Sequence, residues 1–242
     1  KELMDYLYHV KGMSIMQIAR LYGCSYDTIR RGLIRLGIEL RPVGGLLKPN
    51  LTPSPELVHL VFALKGDGCV NLGPIQFSST DKVLVESVRD DLIKIGLNPN
   101  ITETVTNRIS NSKPKPFYRL QAYSKLFAEH YLSLTPQDLL ELGLPYPLDA
   151  LRGLLETEGT VRYNGNSLRV IIICNTDLNL IYVARELTSK LGYKTSIYKN
   201  GITKSKNLKT LYQLTLLGTT PEKEDFLNKL KPCVKWPVKA KG

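Results

Sequence analysis

The chain repeats itself, and the repeat constrains its fold more than any single motif does. Residues 78–97, SSTDKVLVESVRDDLIKIGL, read against residues 174–193, CNTDLNLIYVARELTSKLGY. Thr80-Asp81 faces Thr176-Asp177, Gly96 faces Gly192, and Tyr118-Arg119-Leu120 further on faces Tyr212-Gln213-Leu214. Upstream of each copy an apolar helical run stops at a carboxylate followed by glycine: LVFALKGDG at 60–68, ending on Asp67, and LRGLLETEG at 151–159, ending on Glu158. Self-similarity on this scale means one structural unit used twice. The texture of each copy, a helix, short β-like runs, a helix closed by glycine and two more strands, predicts an α+β unit.

The placement of the two acids is electrostatically odd. The last turn of a helix exposes carbonyl oxygens, so a carboxylate there costs a few tenths to about 1 kcal/mol. Asp-Gly and Glu-Gly could simply stop helices, but two acids in matching contexts point to something positive between them. Glu156 competes for the second position, yet lies two residues earlier and so on a different side of the helix.

Charge narrows the choice of partner. With 33 Lys+Arg against 22 Asp+Glu the formal net charge is +11, and the basic residues recur along the whole chain. Such a balance favours a polyanion, although some proteins are merely basic. No apolar run approaches the ~20 residues that span a bilayer, so no membrane partner is expected. The four cysteines, Cys24, Cys69, Cys174 and Cys233, form no CxxC pair and have no histidine cluster beside them. They read as reduced, partly buried thiols of a cytoplasmic protein rather than a zinc site. The three histidines, His9, His59 and His130, lack the company of a catalytic triad.

Residues 1–42 carry the spacing of a small all-α helix-turn-helix domain. Ser14 opens one helix, Gly23-Cys24-Ser25 breaks it, and a second runs over 26–36; Ile15, Ile18, Ala19, Ile29 and Leu33 would face inward. The second helix would expose Tyr26, Arg30, Arg31 and Arg35, a basic face suited to the major groove. A packing module with solvated arginines is the alternative. PVGGLLKPNLTPSP then cannot continue a helix, and 43–53 reads as a linker. Ser54-Pro55-Glu56 opens the next helix, with Leu57, Leu60, Val61 and Leu64 on one face. The first repeat is set at 54–146 and the second at 147–242, ending in a basic tail around Trp236. VRYNGN at 161–166 reads as a turn.

LVFALKGDG and LRGLLETEG resemble the signature motifs of the LAGLIDADG homing endonucleases, in their single-chain, two-repeat form, over roughly residues 52–230. The first motif departs by placing Phe62 where the family has glycine. The resemblance implies two pseudo-symmetric αββαββα repeats forming a saddle-shaped antiparallel sheet over double-stranded DNA. It implies catalytic acids Asp67 and Glu158 that bind magnesium or another divalent cation, with the main-chain carbonyls of Gly66 and Thr157 beside them. The implied activity is a staggered double-strand break by phosphodiester hydrolysis, made by a monomer that is intron-encoded or free-standing. The family's basic residue at the end of each repeat's second strand is replaced here by Thr80 and Thr176; Lys82, Arg162, Lys113 or Lys115 could substitute.

Strand alternation suggests the DNA face. Arg119 and Gln121 point outward from one strand, Gln76 and Ser78 from another, and Gln213 and Thr215 from a third; Arg162 lies in a polar loop that would grip phosphate. The parity of 168–174 stays open, because Arg169 and the match of Ile172 and Cys174 to Gln76 and Ser78 disagree. Two rival functions remain: a non-cleaving transcription regulator on the same scaffold, and an RNA-splicing maturase.

Overall fold

Serines start the two central helices of the N-terminal unit. This unit holds α1 (Glu2–Asp5), continued by a π-helical turn over Tyr6–Val10, then α2 (Ile15–Leu21) and α3 (Tyr26–Arg35). Ser14 accepts from the Gln17 amide at 3.1 Å while the Gln17 side chain accepts from the Ser14 amide at 2.7 Å, a reciprocal cap. Ser25 accepts from the Thr28 amide at 3.2 Å. Between α2 and α3, Gly23 takes φ +62, the left-handed conformation that glycine adopts without strain. Ile15, Ile18, Ala19, Ile29 and Leu33 are buried with Leu7, Tyr8 and Ile38 in a small core. Arg41 closes it, with its guanidinium 4.2 Å from the Tyr8 ring centre and donating to the Gly12 and Met13 carbonyls.

The computed structural model describes residues 1–41, 48–105, 116–165, 167–200 and 210–234. Residues 43–47 of the proposed linker, Lys113 and Lys115, and the tail around Trp236 lie outside the described residues. The chain divides into two compact units, Lys1–Val43 and Gly44–Gly242.

In the larger unit the first repeat runs α4 (Pro55–Asp67), β1 (Gly68–Val70), β2 (Pro74–Ser79), α5 (Lys82–Lys94), β3 (Asn100–Val105), β4 (Pro116–Tyr123) and α6 (Lys125–Ser133). A connecting helix, α7 (Pro136–Gly143), leads to the second: α8 (Pro147–Glu158), β5 (Gly159–Asn164), β6 (Ser167–Asn175), α9 (Leu178–Lys190), β7 (Thr195–Asn200), β8 (Leu211–Leu216) and α10 (Thr220–Leu230). The order αββαββα occurs twice. Asp81 and Asp177 cap α5 and α9 by accepting from amides two residues on, at 3.0 and 2.9 Å. Gly96 and Gly192 follow those helices at φ +91 and +84. Among the described residues the strands form two antiparallel four-stranded sheets, one per repeat, ordered β1-β2-β4-β3 and β5-β6-β8-β7. Ile75, Phe77 and Leu120 of the first and Ile171, Ile173 and Leu214 of the second face the helices in one common core.

Two local expectations need correction. Residues 161–164 are strand, and among the described residues of this stretch only Gly165, at φ +57, is in the turn; the strand arms are already paired up to the hairpin tip. The disputed parity of β6 has a physical resolution. Arg162 pairs with Val170 but Tyr163 pairs with Leu168, so Arg169 is the extra residue of a β-bulge. Leu168 and Ile171 both face inward across it, and Val170, Ile172 and Cys174 face outward.

Apolar spacing predicts one buried face for the first motif helix, but every residue from Leu57 to Leu64 is buried. It is a central helix packed along α8. The two helices fit by reciprocal size. A methyl on Gly153 would lie 2.6 Å from the His59 carbonyl oxygen and 2.9 Å from the Ala63 nitrogen, so the missing side chain in α8 receives the α4 backbone. Phe62, which replaces the family's glycine, sends its ring away from this crossing, toward Gly143 and Leu187. Gly153→Ala therefore meets backbone that cannot step aside. A loss of about 1–3 kcal/mol is expected, read as a lower urea midpoint with an unchanged slope.

Candidate active site at the meeting of two helix ends

Asp67 and Glu158 are the last residues of α4 and α8, and the glycines after them share one backbone conformation. Gly68 has φ −85 and ψ 159, Gly159 has φ −83 and ψ 157. These are extended values open to any residue, so the glycines do not end their helices by a left-handed cap. Space is what they supply: a methyl on Gly68 would stand 2.6 Å from the Leu64 backbone, and one on Gly159 would stand 2.2 Å from the Leu155 carbonyl oxygen. Each strand folds straight back over the helix it leaves, which holds each acid at the start of a sheet.

The two ends come together. A methyl on Gly66 would lie 2.2 Å from Thr157 Oγ1 and 3.1 Å from Glu158 Cγ. Thr157 Oγ1 donates back to the Gly153 carbonyl at 2.9 Å, turning its hydroxyl onto its own helix. Gly66 and Thr157 sit in last turns, where carbonyls lack intrahelical donors. Asn175, at the end of β6, donates from Nδ2 to Glu158 Oε1 at 2.8 Å. Sequence reasoning misses Asn175; its only signal is its place just before the repeated Thr-Asp pair.

Two basic side chains are candidates to bring positive charge: Arg162, which shares Cys174 as a neighbour with Glu158, and Lys65, in the last turn of α4. Burial pushes the Cys174 thiol up, the Glu158 charge adds to this and Arg162 opposes it. Glu158 and the Arg162 guanidinium thus act on the same outward-facing thiol. Lys65 sits over the Tyr131 ring at 4.2 Å and donates to the Tyr131 carbonyl at 3.4 Å. Its half-burial holds it below the usual lysine range, with Asp177 partly opposing. Of the other suggested substitutes, Lys82 pairs with Glu86 at 3.7 Å. Thr80 and Thr176 are exposed.

Glu156 is no rival for this site. It is buried, accepting from His59 Nε2 at 2.8 Å and from the Cys233 amide at 2.6 Å. His59 Nδ1 meets Asp91 on its other side. The histidine without company in the sequence therefore sits between two carboxylates, wholly buried where the repeats join. Burial alone would lower its pKa, but the hydrogen bonds and charges of Asp91 and Glu156 raise it to about 9. Burial works against Glu156 ionising too, yet His59 and the Cys233 amide hold its carboxyl below the usual range. The cysteines are free thiols, and Cys69 and Cys233 are exposed rather than partly buried.

The outward side chains line up in matched rows across the two sheets. In the first, Cys69, Gln76, Gln121 and Asn100 are register neighbours, with Ser78, Arg119 and Thr102 in the adjoining row. In the second, Thr160, Ile172, Thr215 and Ser196 form the equivalent row and Cys174, Gln213 and Tyr198 the adjoining one. Gln213 donates to Thr215 at 2.9 Å. Tyr26, Arg30, Arg31 and Arg35 are exposed on α3 of the separate N-terminal unit.

Among the described residues no group of three or more His, Cys, Asp or Glu could hold a metal ion. Two carboxylates with helix-end carbonyls do not make a zinc cage. They fit a hard cation such as magnesium, which binds through one or two carboxylates and keeps waters and substrate phosphates for its other positions. Among the described residues no helix is long and apolar enough to cross a membrane.

Residues 146–230 match the family described as LAGLIDADG-like domain. The chain is 33% identical over 155 residues to the uncharacterized protein MJ0398 of Methanocaldococcus jannaschii, covering 62% of this chain and 53% of that one. It is 32% identical over 186 residues to MJ0314 of the same organism, covering 70% and 69%. It thus spans about half the length of the first relative and about two thirds of the second. The fold is shared with the homing endonuclease I-DmoI, solved in complex with DNA and manganese: TM-score 0.51, 12% identity, 74% of this chain and 97% of that one. It is shared equally with the N-terminal LAGLIDADG domain of DUF199/WhiA, at TM-score 0.51 and 15% identity, covering 84% and 95%. By motif, repeat and fold, this chain belongs to the LAGLIDADG family.

Proposed function

We propose that the protein is a site-specific, divalent-metal-dependent DNA endonuclease that cuts both strands by phosphodiester hydrolysis. The observation that carries this reading is the convergence of Asp67 and Glu158 at the ends of two packed helices in a strongly basic chain. In this reading the two carboxylates and the carbonyls of Gly66 and Thr157 hold the cation, and Asn175 fixes the orientation of the Glu158 carboxylate. Bound there, magnesium supplies an activated water and charge stabilisation for the departing 3′ oxygen. Arg162 and Lys65 bring positive charge to the phosphate being cut, in place of the family's basic residue. The outward rows, including Gln76, Ser78, Arg119, Gln121, Gln213 and Thr215, read base edges. The N-terminal unit acts as a helix-turn-helix whose Tyr26, Arg30, Arg31 and Arg35 lengthen the recognised site. Tethering makes that second contact intramolecular and raises affinity.

Duplexes selected by this protein from a randomised pool, then incubated with magnesium or with chelator, test the reading. Nicking and double-strand cleavage are expected only with magnesium. Tight, sequence-specific binding with no cleavage in any divalent cation would sink it and favour a non-cleaving DNA-binding regulator, the reading that Thr80, Thr176 and the likeness to DUF199/WhiA support. Asn175→Ala is expected to weaken divalent-ion binding about 10- to 100-fold, read by calorimetric titration of the DNA complex as well as by cleavage. Binding should also fall with salt, and Arg30→Ala should flatten the slope of log affinity against log salt by about one.

A further inference from the structure

The two outward faces are equivalent in register but not in chemistry. The row Gln76, Gln121, Asn100 presents carboxamides, each carrying a donor and an acceptor, and a carboxamide pairs bidentately with adenine N6 and N7 in the major groove. The equivalent position to Gln76 is Ile172, and the β-bulge at Arg169 aligns Val170, Ile172 and Cys174 along the outward side of one central strand. All three are half-buried, so their side chains stand close-packed rather than free to reach for solvent. Aliphatic groups at this position make no directional hydrogen bond, and the feature of a major groove they match is the 5-methyl group of thymine. Charge complementarity supports the same duplex occupant on both faces, because the chain is basic throughout.

We infer that the two halves of the DNA target are read by different chemistry: by a row of carboxamides under the first repeat, and under the second by Gln213 together with an apolar strip, so that readout of thymine methyls is confined to the second half. The inference rests on the proposed binding of DNA to these faces. It makes the target intrinsically asymmetric despite the pseudo-symmetry of the fold, and it names Val170 and Ile172 as specificity-determining residues.

Two base analogues separate the modes. In a duplex selected by the protein, each thymine is replaced in turn by deoxyuridine, which lacks only the methyl, and each adenine by 7-deazaadenine, which lacks the N7 acceptor. Affinity is expected to fall about 3- to 5-fold per contacted methyl and about 5-fold or more per contacted N7, with the methyl-sensitive positions confined to the half under the second repeat. Ile172→Ser should erase the deoxyuridine penalty at the thymine it touches and leave the 7-deazaadenine penalties intact; Gln121→Ala should erase one 7-deazaadenine penalty under the first repeat and leave the deoxyuridine penalties intact. Deoxyuridine sensitivity absent or spread evenly over both halves would overturn the inference, as would a selected site without thymine in either half. Failure to select any sequence would instead refute the DNA-binding reading itself.

Discussion

On the proposed function, Asp67→Asn and Glu158→Gln are each expected to lower cleavage of a bound duplex by about 1,000-fold or more, while leaving its affinity nearly unchanged. The size follows from the several kcal/mol that a metal contributes to a hydrolytic transition state. Both substitutions preserve shape, and in Glu158→Gln the new carboxamide still offers a carbonyl oxygen to Asn175 Nδ2, which donates to Glu158 Oε1 at 2.8 Å in the native chain. Stability should move the opposite way. Removing a negative charge from a helix C-terminus relieves a repulsion worth a few tenths to about 1 kcal/mol, so each variant is expected to melt at or above the native temperature. Loss of activity with a gain in stability marks a functional charge held against its local preference. Parallel loss of folding would mean that the acids are structural.

His59→Ala is expected to cost about 3–5 kcal/mol, because it strands Asp91 and Glu156 as buried charges without their shared partner. Three helices meet at this imidazole: α4 carries His59, α5 carries Asp91 and α8 carries Glu156. The variant should therefore loosen the joint between repeats, seen as a fall in urea midpoint and loss of amide protection in both. His59→Gln, which can donate to only one of the two acids at a time, should lose less and remain folded.

The same cluster sets a pH dependence whose sign is fixed by the shifts. The folded pKa of His59, about 9, stands above its ordinary 6.5, so its contribution is fully present below pH 6.5 and is lost as pH rises toward and through 9. A difference of this size corresponds to about 3 kcal/mol. Glu156 is shifted the other way: its contribution is present above its ordinary 4.5 and lost as pH falls through its depressed folded value. Other groups close to the cluster bear on the curve, among them Asp149, which burial raises and the Arg152 charge lowers. Urea midpoints should peak between about pH 4.5 and 6.5 and decline toward pH 9.5, and the alkaline decline should be absent in His59→Gln.

Features set by local chemistry were legible in the sequence. The helix-opening serines, the glycines after α5 and α9, and the alternation along β2, β4 and β8 follow from residues within a few positions of one another, and the duplication shows as direct self-similarity of two segments. What was hidden depends on distant partners. His59 meets Glu156 from 97 residues away, so no window of sequence could show that a histidine and an apparent competitor for the active site satisfy each other. Phe62 looked awkward at a helix crossing because the compensating Gly153 belongs to the other repeat. The bulge at Arg169 was foreshadowed only as a conflict between two ways of counting alternation. At the site itself the two acids stood out, whereas Asn175 and Lys65 did not, since an asparagine before a cap and a lysine in a last helical turn are ordinary in isolation.

The most direct measurement is anomalous diffraction from crystals of the protein with a selected duplex and manganese. The expected result is a manganese peak within bonding distance of the carboxylates of both Asp67 and Glu158, with DNA lying across the outward faces of the two sheets. Duplex seated on those faces with manganese at neither acid would contradict a shared metal site at the meeting of the motif helices.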